Sequence, residues 1–168
     1  MADNIIIEGA RIWARNFTGK EGKFNAPGDR NFNVWLEPDL AEKLRSDGWN
    51  VKSYIPRTDP DAEPRFFIKV SVSYRNVPPK VYRVNSNNKR GQLDEDTIGT
   101  LDWEEIKNVN LIIRPYSWEV NGRTGIKAYL KTLYAEIEED PFEKNYNEEK
   151  EMPSFLNVPD SEDEAVPF

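Results

Sequence analysis

The chain has 168 residues, 38% of them hydrophobic, and a formal net charge of −7, enough for one domain and an appendage. It contains neither Cys nor His, which excludes disulfides and thiolate metal sites and removes the commonest general base and zinc ligand. No stretch approaches the length of a membrane span, and "MADNIIIEGARIW" lacks the basic region and long apolar run of a signal peptide. A reducing cytoplasm is compatible with this composition.

The charge is unevenly spread. Residues 1–134 carry 21 Lys and Arg against 18 Asp and Glu, a net of +3, whereas residues 135–168 carry 2 against 12, a net of −10. Such an asymmetry suggests a basic binding face and an acidic interaction arm. Aromatic side chains number 8 Phe, 7 Tyr and 5 Trp, an unusual share of the apolar supply.

In chain order, Asn4 to Phe17 reads as one long strand. Ile6, Ala10, Ile12 and Ala14 fall on one face; Arg11, Trp13, Arg15 and Phe17 fall on the other. Gly9 sits where a bulge would be tolerated and could shift the register of Trp13. "TGKEGKFNAPGD" is a polar loop, in which Phe24 either clamps a ligand or caps the barrel. "RNFNVWL" is a second strand, with Phe32, Val34 and Leu36 on one face. "EPDLAEKLRSDG" predicts a helix, with Pro38 in the first turn, Leu40 and Leu44 four apart, and Gly48 as the stop.

"WNVKSYI" returns to extended structure, and "PRTDPDAEPR" is a proline-rich loop. "FFIKVSVSY" alternates, with Phe66, Ile68, Val70 and Val72 inward and Phe67 and Lys69 opposite. "KVYRV" is a short strand, "NSNNKRGQ" a polar loop, and "DEDTIGTLDWEEI" has room for a short helical segment. "VNLIIRPYSWEV" and "TGIKAYLKTLYAEI" flank Asn121-Gly122, the pair favoured in a type I′ hairpin turn. Beyond Ile137 the pattern is acidic, proline-spaced and without period, which reads as a flexible tail. The expected architecture is mainly β: a small antiparallel barrel with one or two short helices. Residues 1–140 form the binding domain and residues 141–168 the tail.

The strongest constellation is the alternation of cations with rings on strand faces. It occurs at Arg11, Trp13, Arg15 and Phe17, at Phe67 and Lys69, at Lys52 and Tyr54, and at Lys127, Tyr129 and Lys131. A single-stranded nucleic acid needs this mixture, because bases stack on π-faces while neighbouring cations neutralise phosphates. Duplex readout would need a helix or ribbon shaped for a groove. Ordinary barrel exteriors also carry Lys, Arg and Tyr, so a protein-interaction adaptor or an RNA-binding protein on the same barrel remain alternatives. Catalysis has little support. The acid pairs Asp94/Asp96 and Asp102/Glu105 could hold Mg²⁺ but are coupled to no nucleophile, and "TGKEGKF" lacks P-loop spacing. The chain is expected not to be an enzyme.

"ARNFTGKEGKFNAPGDRNFNVWL", "LAEKLRSDGWNVK" and "GIKAYLKTLYAEI" resemble phage-encoded single-stranded DNA-binding proteins with an oligonucleotide-binding (OB) fold, over most of residues 10–137. The ending "DEAVPF" is similar to the acidic C-terminal tip of bacterial single-stranded DNA-binding proteins. The resemblance implies a five-stranded barrel that grips single strands without a cofactor, in the cytoplasm of a bacterial host, during replication, recombination or repair. Here the helix at 38–47 falls early and the loop at 56–65 is an insertion relative to a minimal barrel. On this reading Trp13, Phe17, Phe67 and Tyr129 stack bases, and Arg11, Arg15, Lys69, Lys127 and Lys131 meet phosphates. The tip residues Asp160, Glu162, Asp163, Glu164, Pro167 and Phe168 would recruit partner enzymes, the acids steering toward cationic pockets and the ring filling an apolar one.

Overall fold

The computed structural model describes residues 3–23, 25–75 and 77–138. Phe24, the tail and the tip residues Asp160 to Phe168 lie outside the described residues. The elements in order are β1 (Ile5–Ala10), β2 (Ile12–Asn16), β3 (Arg30–Leu36), α1 (Pro38–Asp47), β4 (Val51–Tyr54), β5 (Arg65–Val72), β6 (Lys80–Val84), β7 (Arg90–Leu93), a 3-10 turn (Ile98–Asp102), β8 (Ile106–Val120) and β9 (Arg123–Ile137).

The first expected strand is two strands, because its halves serve different partners. β1 pairs antiparallel with β8 and β2 antiparallel with β3, the chain crossing between them at Arg11, whose carbonyl accepts the Trp35 N–H at 3.0 Å. The sheet order runs β1-β8-β9-β5-β3-β2. β1 and β2 are the two ends of this open path, and the mainly β architecture with its one helix is consistent with an OB-like fold. Within it the sheet is mixed rather than wholly antiparallel. β9 runs parallel to β5 at Val70↔Ala128 and Ser71↔Tyr129, then parallel to β6 from Lys80↔Thr132 to Val84↔Glu136.

The interior follows from strand alternation. Phe32 and Val34 of β3, Ile68 and Val70 of β5, Leu111 and Ile113 of β8, and Leu130 and Leu133 of β9 are all essentially buried. The long β8–β9 hairpin turns at Asn121 (φ 53°) and Gly122 (φ 78°), the two left-handed positions of a type I′ turn. The expected short helical segment is the 3-10 turn, which buries Ile98 and Leu101.

α1 buttresses this sheet. Gly48 takes φ 103° after Asp47; its N–H donates to the Arg45 carbonyl at 3.1 Å and the Trp49 N–H to the Leu44 carbonyl at 3.0 Å, a Schellman closure. The helix then docks through buried Ala41, Leu44 and Trp49. The Gly48 carbonyl accepts the Ile126 N–H at 3.1 Å, which fixes the start of β9 against the helix end. No helix among the described residues is long and apolar enough to cross a membrane.

Candidate nucleic-acid interface

Residues that alternate with the core positions build the outer face. Inward Phe32, Val34 and Leu36 leave Asn31, Asn33 and Trp35 outward on β3; inward Ile68, Val70 and Val72 leave Phe67, Lys69 and Ser71 outward on β5; inward Ile126, Ala128 and Leu130 leave Lys127 and Tyr129 outward on β9. Register aligns these sets across the sheet. Trp13 lies opposite Asn33 and Asn33 opposite Lys69; Asn31 lies opposite Ser71 and Ser71 opposite Tyr129; Tyr129 lies opposite Arg114 and Lys127 opposite Tyr116.

A groove of about 1240 Å³ crosses this face. Its walls carry the cations Arg30, Lys52, Lys69, Arg75 and Lys127 and the rings Tyr74, Trp118 and Tyr129, with Asp29 and Glu95 as acids. Glu95 is engaged by Arg30 at 3.5 Å, and Arg30 also donates through Nε to the Phe17 carbonyl at 3.0 Å. Arg30 is therefore held locally. Among the described residues Lys52, Lys69 and Arg75 are in no ion pair, so their charge is available to a ligand.

Tyr129 stands between two cations: Arg114 is 4.9 Å and Lys127 Nζ 5.1 Å from its ring centre. Tyr116 meets it edge-on at 5.8 Å. Trp118 lies over Gly125, where a Cβ would come within 2.6 Å of the indole; the glycine is what lets this ring approach the β9 backbone at the groove wall. Burial pushes the Tyr74 phenol up to about 12, with Arg30 opposing and Glu95 and Asp94 adding to the shift. Tyr74 is thus neutral at any physiological pH, and its buried hydroxyl has no protein hydrogen-bond partner.

Beside the groove lies an aromatic platform. Trp13 stacks on Trp35 at 4.8 Å and 19° and meets Phe67 edge-on at 4.9 Å. Trp35 also contacts Phe67 at 5.8 Å and Tyr54 at 6.1 Å, and the Arg65 guanidinium covers its ring at 3.8 Å. Because Trp13 lies in register with Asn33 and Lys69, and Phe67 is two positions from Lys69 on the same face of β5, platform and groove form one surface. Rings and fixed cations in this arrangement can stack bases and neutralise phosphates together.

Of the residues singled out from the sequence, Trp13, Phe67, Lys69, Lys127 and Tyr129 share this surface. Phe17 does not. It is fully buried and packs on Phe32 at 5.2 Å, which corrects its assignment as a stacking residue. The reason is a register shift between Trp13 and Asn16, with Ala14 at φ 52°: the extra residue reverses the alternation beyond Trp13. The bulge expected at Gly9 also exists (φ 64°, register shift between Ile7 and Ala10), but it leaves Trp13 outward.

Arg15 is corrected as well. Its Nη1 donates to the carbonyls of Leu101 at 2.8 Å and Glu104 at 3.0 Å, tying β2 to the 3-10 turn. With exposed Arg11 it lines a separate cavity of about 250 Å³, away from the groove walls. Lys131 is exposed at a further bulge, where Ile112 pairs with Thr132 and Ile113 with Leu130. The acid pairs have backbone duties: Asp102 accepts from the N–H groups of Phe17 and Thr18 at 2.8 and 3.1 Å. Asp94 accepts from Thr97 Oγ1 at 2.9 Å and from the N–H of Asp96 at 3.0 Å, and the Thr97 hydroxyl bond holds its carboxyl below the usual range.

Trp35, Arg65, Arg114 and Trp118 were not singled out from the sequence. Trp35 could have been, since it takes the position opposite Phe32 and Val34 in the β3 alternation. Arg114 and Trp118 share the even positions of β8 with Tyr116, and that run of rings and a cation matches the one read on β9.

No curated protein matches the sequence. Solved structures with a similar fold include the C-terminally truncated single-stranded DNA-binding protein from bacteriophage Enc34, at TM-score 0.53 and 14% identity over 83% of this chain and 88% of that one. The same phage protein in complex with ssDNA matches at TM-score 0.53 and 16% identity, over 83% and 89% of the two chains. The family model described as "Putative phage ssDNA-binding domain" matches residues 1–166. The chain belongs to this phage ssDNA-binding domain family.

Proposed function

We propose that this protein binds single-stranded DNA without strong sequence preference, along the groove and platform on the outer face of β2, β3, β5, β9 and β8. The observation that carries the reading is the alignment of Lys69 and Lys127 between two sets of rings, Trp13, Trp35 and Phe67 on one side and Tyr129, Tyr116 and Trp118 on the other. The Enc34 complex supports the same ligand for a protein of like fold. Lys52, Lys69, Arg75 and Lys127 meet phosphates, and Trp13, Phe67 and Tyr129 meet bases, with Trp35 holding the platform together from beneath Arg65.

The role is that of a coat without catalysis or cofactor: it protects strands during replication, recombination or repair in the host cytoplasm. The acidic segment ending in Pro167-Phe168 recruits partner enzymes by the charge steering described above. Tryptophan quenching by an oligothymidylate, titrated across salt concentrations, tests the ligand. About four phosphate contacts at roughly 0.7 each give a slope of log affinity on log salt of about −3. No quenching and no gel shift at low salt would remove the reading and leave the adaptor alternative; equal or tighter binding of a matched RNA would favour the RNA alternative. A chain truncated before Pro159 is expected to keep strand binding and lose partner capture in a pull-down.

A further inference from the structure

Tyr82 of β6 and Tyr134 of β9 lie directly opposite each other in register. Their rings stack at 4.8 Å with only 14° between planes. The Arg90 guanidinium sits over both, 5.2 Å from one ring centre and 5.8 Å from the other, and its Nη1 donates to the Tyr134 hydroxyl at 3.3 Å. Both rings are half-buried and Arg90 is exposed. None of the three lines the groove.

The hairpin that carries Arg90 is built to hold it. The Asn85 N–H donates to the Lys89 carbonyl at 2.9 Å, the Asn85 side chain accepts the N–H groups of Asn87 and Lys89 at 3.0 Å each, and Asn88 takes φ 63°. A turn closed this way fixes where β7 starts, and hence where the Arg90 side chain leaves the main chain. Two acids on or beside these strands are already bound: Glu104 pairs with Arg83, and Glu136 accepts from Asn108 Nδ2 at 2.9 Å.

The patch continues the groove along one strand. Tyr129 and Tyr134 are both on β9, five positions apart, which spans about 17 Å at the rise of an extended strand. Simple alternation would turn Tyr134 inward with Ile126, Ala128 and Leu130. The bulge at Lys131 reverses the phase, so that Leu133 and Ala135 take the core and Tyr134 faces out. Lys131 itself is exposed midway between the two tyrosines.

We propose that Tyr82, Tyr134 and Arg90 form a second stacking site that takes a stretch of the same single strand after it leaves the groove past Tyr129, with Lys131 meeting a phosphate between the two. This rests on the single-strand reading of the groove. A flat base covers the tyrosine pair or the guanidinium, either of which is a platform for a nucleobase, and the guanidinium's remaining donors reach the adjoining phosphate.

The test compares oligothymidylates of about 6 and about 16 nucleotides, inside the range of site sizes per OB fold, on wild type, Arg90→Ala, Tyr82→Ala and Tyr82→Phe. Arg90 is exposed, so its loss leaves the fold intact, and Tyr82→Phe keeps the ring and should bind as wild type does. Arg90→Ala and Tyr82→Ala are expected to weaken binding of the longer strand roughly five- to hundredfold while the shorter strand binds as before. Unchanged affinity of Arg90→Ala for the longer strand overturns the proposal, and so does an equal loss on both lengths. If the wild type binds neither strand, the groove reading itself fails, and the second site falls with it.

Discussion

β2 and β9 both carry rings and cations at alternate positions, yet they deliver them to different places. On β9, Lys127 and Tyr129 face the groove together because the bulge at Lys131 comes after them. On β2 the bulge at Ala14 comes between Trp13 and Phe17, so one ring reaches the platform and the other the core. The amino acids are interchangeable in type; the position of a single extra residue decides which become surface and which become interior. A bulge therefore acts as a functional switch in the pattern, with the phase on either side of it assigned separately.

That contrast can be broken most forcefully at Phe17. A fully buried ring stacked on Phe32 should cost about 3–5 kcal/mol of stability when cut to Ala, read as a lower urea midpoint with an unchanged m-value. If the variant instead unfolds at the wild-type midpoint and binds DNA weakly, Phe17 belongs to the surface after all. Trp35→Ala comes next. Removing the centre of the platform should weaken strand binding by about 1–3 kcal/mol, measured by titration on protein whose thermal transition is first verified. Tyr129→Ala should fall in the same range.

Charge sharpens the comparison on a smaller scale. Lys69→Ala and Lys127→Ala should each make the salt slope shallower by about 0.7, as expected for one lost phosphate contact on a single strand. Arg11→Ala, on the far cavity with Arg15, should leave the slope where it was. A slope that responds to Arg11 but not to Lys69 would place the strand along the Arg11 and Arg15 cavity instead.

The alternation of β3, β5 and the turn-proximal part of the β8–β9 hairpin could be read from the chain because each keeps one phase there; beyond the bulge at Lys131 the phase of β9 reverses and could not. The Asn121-Gly122 turn and the Gly48 helix stop are fixed by local backbone needs, and these too were visible. What could not be read is set by tertiary partners. The break at Arg11 exists because β1 and β2 pair with different strands, and the parallel contacts of β9 with β5 and β6 join residues far apart in sequence. Arg15 looked like a phosphate ligand because nothing local shows that the carbonyls of Leu101 and Glu104 wait for it. Trp35 was overlooked for the opposite reason: its outward phase is plain, but its place at the centre of four rings depends on Trp13, Tyr54 and Phe67 arriving from other strands.

The smallest expected effect concerns Tyr74, on the groove wall near Arg30. Burial raises its phenol to about 12 from 10.0. The folded protein therefore keeps this proton over a range where the unfolded chain has lost it. Its contribution to stability is fully present below about pH 10 and is lost as pH rises toward about 12. Tyr74→Phe has no proton to lose, so the alkaline fall in melting temperature over that window should become shallower, while stability near neutral pH changes little because the buried hydroxyl has no protein partner to forfeit. Strand affinity at neutral pH separates two roles for the ring. If Phe binds as well as Tyr, the ring serves the groove by its shape and its contact with Arg30 at 5.6 Å; if binding weakens, the groove wall rearranges on binding so that the hydroxyl it buries reaches the strand.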